Sequence, residues 1–248
     1  MKTERNLSFF MKFTIVVSLF GSFTSLLMVF YPPSNTVDFF WRKPLIGSFF
    51  TTICIIGSIA AVSPRRCSKT FDTHLTKNKA DTDIGGGFLV KSKGHHPDCG
   101  RFSAHVARYR GVSYCAACTG LLVGVVIALA TAVPYFFLGF NFIQVSLPAV
   151  VVGQMGIVLG LLQLKFNGWV RSAANALFVF GSSLILIGID QHVGSVFFDL
   201  YLIGLVMFWI LTRIMISWWD HSRICLACGF SCKAERKAGA LVSSTQSV

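Results

Sequence analysis

Charge is what this chain has least of. Asp, Glu, Lys and Arg together make up 13% of its 248 residues, and only 10 of those are acidic. An average soluble domain is about a quarter charged, so a chain this poor in charge does not cover a water-facing surface. Alternation of apolar and polar residues over strand-length windows is missing too, which excludes a membrane β-barrel. No His-Glu-x-x-His sequence occurs, and with it goes the helix-borne zinc protease motif.

What is abundant is apolar side chain, at 54% of the residues with 24 Phe among them. It is gathered into six runs, residues 13–31, 44–62, 115–138, 146–164, 172–189 and 197–218. A bilayer's hydrocarbon core, about 30 Å thick, takes about 20 apolar residues per helix. In lipid every backbone N–H and C=O must bond within its own segment, which leaves α-helix as the form for such runs. The sequence therefore predicts an all-α, polytopic membrane helix bundle of about six transmembrane helices with a small Cys/His module.

The net charge of +12 would suggest nucleic acid in a soluble protein, but the positions of the charges give another reading. Lys2, Arg5 and Lys12 precede the first run, ten basic residues separate the second from the third, Lys165 and Arg171 join the fourth to the fifth, and Arg213, Arg223, Lys233, Arg236 and Lys237 lie at the end. The opposite loops carry only Arg42 and Lys43. The positive-inside rule then puts both termini and the large loop in the cytoplasm of a multi-pass plasma-membrane protein, whose partners are the lipid bilayer and a membrane protein or second copy, with no nucleic acid. The first run follows Lys2 and Arg5 as a leader's would, yet it is long and no Ala-x-Ala-like site follows Tyr31, so it is expected to stay as a span.

The chain divides accordingly. Residues 1–62 hold two transmembrane helices. Residues 63–87 are a basic tether rich in Lys, Thr, Asp and Asn, ending in three glycines, a composition that buries little apolar surface and is expected to be flexible. Residues 88–114 form a His/Cys module, 115–219 a four-helix transmembrane bundle, and 220–248 a Cys-rich tail. Small residues recur every fourth position in the third run (Ala116, Gly120, Gly124, Ala128, Ala132), and the fourth adds Gly153, Gly156 and Gly160. Such ridges let helix backbones approach closely in lipid, so the third and fourth spans are expected to meet at the bundle centre. Gln154 and Asn175, the amides inside spans, are expected to bond between helices. Asp190, Asp199 and Arg213 stand near predicted span ends, from which they are expected to reach the interface.

Cysteine and histidine are gathered on the predicted cytoplasmic side, with only Cys54 and His192 elsewhere. Thiols clustered in a reducing compartment are metal ligands or redox centres more often than disulfides. His95, His96 and Cys99 precede His105. Cys115-x-x-Cys118 opens the third span, and Cys225-x-x-Cys228-x-x-x-Cys232 follows the sixth. Two thiolates three residues apart grip one tetrahedral ion, so the nine residues are candidate zinc ligands, with an iron–sulfur cluster as the alternative. Two arrangements are open: a joint site of Cys115, Cys118, Cys225 and Cys228, or a local one in which two of His95, His96, Cys99 and His105 complete Cys115 and Cys118. Ser113 is expected to cap the third span and so place both thiols in its first turn, where the helix dipole and the nearby Arg108 and Arg110 favour thiolate. His221 follows Asp220, which could orient it.

The run from His95-His96-Pro97-Asp98-Cys99 through Gly111 to Cys115-Ala116-Ala117-Cys118-Thr119-Gly120, with Gly124, resembles a group of uncharacterised prokaryotic, largely archaeal membrane proteins. In these a His/Cys segment leads into a Cys-x-x-Cys-x-Gly transmembrane helix. The likeness covers about 35 residues and implies a shared metal or thiol site, but no reaction.

Three functions fit the sequence. The first is a scaffold or accessory subunit with a structural zinc site, since Cys-rich sites are usually closed. The second is a membrane thiol or iron–sulfur redox protein. The third is a metal or small-solute transporter, for which the scarcity of ionisable residues in mid-span is unfavourable. No catalytic residue is assigned.

Overall fold

The computed structural model of the chain describes residues 2–31, 40–62, 100–110, 112–141 and 146–227. The tether and the first part of the His/Cys module lie outside them, as does the tail beyond Ala227. Six α-helices appear: α1 (Lys2–Phe30), α2 (Arg42–Val62), α3 (Ala116–Leu138), α4 (Ser146–Leu161), α5 (Gly168–Val193) and α6 (Val196–Ala227). Five hold stretches long and apolar enough to cross a membrane, and α4, at 16 residues, is a shorter apolar helix. The fold is an all-α polytopic bundle.

Its surface and interior are inverted relative to a soluble bundle. Phe20, Phe23, Ile56, Val126 and Met155 are exposed, while Ser18, Ser25, Asn175, Ser183 and Thr212 are buried. In lipid the outer apolar residues meet hydrocarbon, and the inner hydroxyls and amides find partners on neighbouring helices or on backbone carbonyls. The Ser18 hydroxyl donates to Thr212 Oγ1 at 2.9 Å, tying α1 to α6. The Gln154 side-chain amide donates to Ser25 Oγ at 2.6 Å and the Ser22 carbonyl at 3.2 Å, tying α4 to α1.

The centre of the bundle is α5, not a meeting of the third and fourth spans. Of its most apolar stretch 67% is buried, against 28–44% for the other long helices. Helices α3 and α4 both turn their small ridges toward it. A Cβ at Gly120 would lie 2.1 Å from the Ser172 carbonyl oxygen, at Gly124 2.7 Å from that of Ala176, and at Gly156 2.4 Å from that of Leu177. Each ridge thus meets α5 backbone, which carries a matching small residue at Gly181 beside Gly153 and Gly156. Helix α2 packs on α3, and α1 pairs with α6.

Two span boundaries differ from expectation because their charges are buried rather than directed to the interface. Helix α5 begins before Arg171 and continues past Asp190, and both side chains are nearly inaccessible. Helix α6 runs on to Ala227, so Asp220 and His221, assigned to a tail, are helical. Asp199 and Arg213 are buried too.

Replacing Gly156 by alanine is expected to force α4 away from the Leu177 carbonyl and to lower the thermal midpoint of the purified protein in micelles, at a cost of about 1–3 kcal/mol. At Gly57, where a Cβ would meet nothing within 4 Å, the same change should leave the midpoint unchanged or raise it, because alanine favours helix. Equal effects at the two positions would count against the backbone-contact account.

Candidate functional site

Immediately before α3 the chain folds into a 3-10 turn, Gly100–His105, and a two-stranded antiparallel hairpin, β1 (Val106–Tyr109) and β2 (Val112–Cys115). Val106 pairs with Cys115 and Tyr109 with Val112. Arg110 takes the turn with a positive φ of 47°, uncommon outside glycine. The hairpin docks on the start of α5: the Trp169 indole N–H donates to the Arg108 carbonyl at 3.2 Å, and its ring meets Tyr109 edge to face, centroids 6.4 Å apart.

This hairpin changes the capping of α3. Ser113 is paired with Arg108 inside the ladder, and Cys115 stands at the cap position with extended backbone, making no side-chain capping bond. Cys118 follows in the first turn. Both thiols are half-buried and lie where the first backbone N–H groups of a helix have no intrahelical acceptor.

Two arginines face them from the neighbouring helices. Arg213 on α6 lies within electrostatic reach of both Cys118 and Cys115, and Arg171 on α5 within reach of Cys115. Arg213 is 7% exposed. Its Nε donates to Asn175 Oδ1 at 2.7 Å, and Asn175 Nδ2 donates to the Arg171 carbonyl at 2.7 Å. Among the described residues no carboxylate forms an ion pair with Arg213. A buried guanidinium needs a counter-charge, and among the described residues the groups within its electrostatic reach that can become anions are the two thiols.

Beside the thiol pair lies a second polar group. His105 Nε2 is 3.1 Å from Asp220 Oδ2 and 3.3 Å from Arg171 Nη1, while Arg171 Nη2 is 3.5 Å from the same carboxylate oxygen. One ring nitrogen cannot both donate to the carboxylate and accept from the guanidinium. The shorter contact assigns the Nε2 proton to the bond with Asp220, so Arg171 acts as the carboxylate's partner. Arg223 approaches Asp220 Oδ1 at 3.6 Å from the exposed side, and His221 sets its ring edge-on to His105 with centroids 5.6 Å apart. The 3-10 turn, α5 and α6 are thereby joined through buried charge.

Of the nine candidate ligands, the structure brings Cys115, Cys118 and His105 to one end of the bundle. Cys225 is on the last turn of α6 at that end, with its side chain outside the described set. His95, His96, Cys99, Cys228 and Cys232 lie outside the described residues. Among the described residues no three His, Cys, Asp or Glu side chains converge on a position that could hold a metal ion.

Sequence reasoning missed Arg171, Arg213 and Asp220 as members of this site. It also missed a second buried charge group, at the opposite end, made by Arg42, Tyr135, Asp190 and Asp199. The signal for both was available: an ionisable residue inside an apolar run is paired by default.

Asp220→Ala is expected to destabilise the protein by about 3–5 kcal/mol, since it strands a buried guanidinium. His105→Ala should cost less, about 1.5–3 kcal/mol for one bond to a charged acceptor, because Asp220 keeps Arg171. Unfolding in micelles measures both, and the reverse order would contradict the assignment of Arg171 to Asp220. No family model, curated protein or solved structure matches the chain.

Proposed function

We propose that the chain is an integral membrane protein in which Cys115 and Cys118 supply two thiolates to a structural zinc site that closes one end of the bundle. The supporting observation is Arg213, a buried guanidinium without a carboxylate ion pair among the described residues, within electrostatic reach of both thiols. A zinc site rich in thiolate carries net negative charge, which a buried cation beside it would balance. The remaining donors would come from Cys225 at the end of α6 with Cys228 and Cys232 beyond it, or from His95, His96, Cys99 and His105 before α3. Either choice would tether a polar segment to the bundle, the work of a scaffold or accessory subunit of a membrane assembly with another membrane protein or a second copy as partner. The distribution of basic residues supports a cytoplasmic position for this end.

A second reading rests on the same thiols. Cys-Ala-Ala-Cys at a helix N-terminus beside arginine is also an arrangement for dithiol exchange, and the three cysteines after α6 suit an iron–sulfur cluster.

Elemental analysis of anaerobically purified full-length protein decides. The zinc reading expects about one zinc per chain without visible absorbance, lost in Cys115→Ser. Arg213→Gln should weaken retention against a chelator by about 10- to 100-fold, as loss of an outer-shell partner does. A metal-free protein with a reversible Cys115–Cys118 disulfide would establish the dithiol, and a brown, sulfide-containing sample the cluster.

A further inference from the structure

At the end of the bundle remote from the thiols, four helices bring one polar side chain each to a common point. Arg42 opens α2, Tyr135 is in the last turns of α3, Asp190 is near the end of α5, and Asp199 is in the first turn of α6. None is more than 4% exposed. A single nitrogen, Arg42 Nη1, donates to both carboxylates, to Asp190 Oδ1 and, at 2.8 Å, to Asp199 Oδ2. The Tyr135 hydroxyl donates to Asp190 Oδ2. Asp190 therefore has both oxygens satisfied, whereas Asp199 Oδ1 is buried and accepts no hydrogen bond.

The charges do not balance around that oxygen. One guanidinium serves two carboxylates. The other cation of this region, Lys43, rides over the Tyr135 ring with Nζ 4.6 Å from the centroid, and no hydrogen bond or ion pair joins it to either carboxylate. His192, two residues beyond Asp190, is exposed. Among the described residues two buried anions face one guanidinium in a medium of low dielectric, and two neighbouring carboxyl groups in such surroundings do not both ionise freely. A proton on Asp199 removes the excess charge and makes a buried, unsatisfied acceptor into a donor beside a second carboxyl group that shares the same guanidinium nitrogen.

We propose that Asp190 and Asp199 form a proton-binding dyad that holds one exchangeable proton against Arg42. The proton comes from water at this end of the bundle and returns to it. The turn that joins α5 to α6, Gly194-Ser195, lies over the site, with the Gly194 N–H bonded to the Asp190 carbonyl and the Asp199 N–H to that of Ser195. Gly194 adopts a φ of 64°, and a Cβ there would come within 3.9 Å of Arg42 Nη2, so the backbone of the turn runs close to the guanidinium. With the proton on, Arg42 and Asp190 are a matched pair and Asp199 is a neutral acid. With it off, Arg42 is divided between α5 and α6. The site thus couples proton occupancy to the grip of α2 on the last two helices, independently of the thiols.

Infrared spectroscopy of the full-length protein carrying carboxyl-13C aspartate, in nanodiscs at neutral pH, tests this. The dyad expects the stretch of one protonated aspartic acid per chain, shifted in deuterium oxide, lost as pH is raised, and absent in both Asp199→Asn and Asp190→Asn, since either leaves a lone carboxylate matched to Arg42. Wild type showing only ionised aspartate would overturn the proposal, and so would a protonated band that survives in both variants. A thermal midpoint that rises with sodium at constant ionic strength, without a protonated band, would assign the site to a metal cation instead. Should either variant fail to fold, the wild-type spectrum and its pH dependence still decide.

Discussion

Everything in this bundle is arranged around the nearness of α3 and α4 to α5. In lipid no hydrophobic force presses helices together, so their association rests on van der Waals contact and on the polar bonds that close approach permits. The glycines of α3 and α4 let two backbones reach a third on different faces. Because α5 has no lipid-facing freedom to spare, the groups it carries, Arg171 and Asn175 near one end and Asp190 near the other, are fixed where α6 and the hairpin can meet them.

The polar groups then divide by depth. Mid-bundle bonds are neutral: Ser18 with Thr212, Gln154 with Ser25, and the Trp209 indole N–H with the Ser18 carbonyl at 3.2 Å. Ion pairs occur toward the ends, one group joining the 3-10 turn, α5 and α6, the other α2, α3, α5 and α6, while Arg213, beside Thr212, is bonded to the neutral Asn175 amide. This gradient follows the cost of burying charge, which is largest at the membrane centre. It also means that the helix ends are tied by interactions that fail sharply when one partner is lost.

The spans were legible in the sequence because a run of about 20 apolar residues has one solution in lipid. Their ends were less so. Arg171 and Asp190 have the appearance of span-ending charges, but each has a partner on another element, and only the adjacency of α5 to α6 reveals it. The Cys115–Cys118 pair was legible from spacing alone, whereas Ser113 was assigned a cap that the hairpin assigns to Cys115, since a short β ladder before a helix leaves little periodic signal. The small ridges were visible too. That both face α5 was not, because a ridge states that a neighbour comes close without saying which one.

The shortness of α4 has a consequence for the surrounding lipid. Its sixteen α-helical residues rise about 24 Å, and Leu162 with the 3-10 turn Gln163–Lys165 carries the path on toward the thickness of the hydrocarbon core. Val151, Val152 and Met155 face outward from it. Held against α5 at Gly153, Gly156 and Gly160, the helix is not at liberty to shift, so wherever this flank falls short of the hydrocarbon core the lipid beside it would have to thin. The protein would then sit in an asymmetric dimple, and a thinner membrane, or a neighbour with an equally short face, would relieve the deformation.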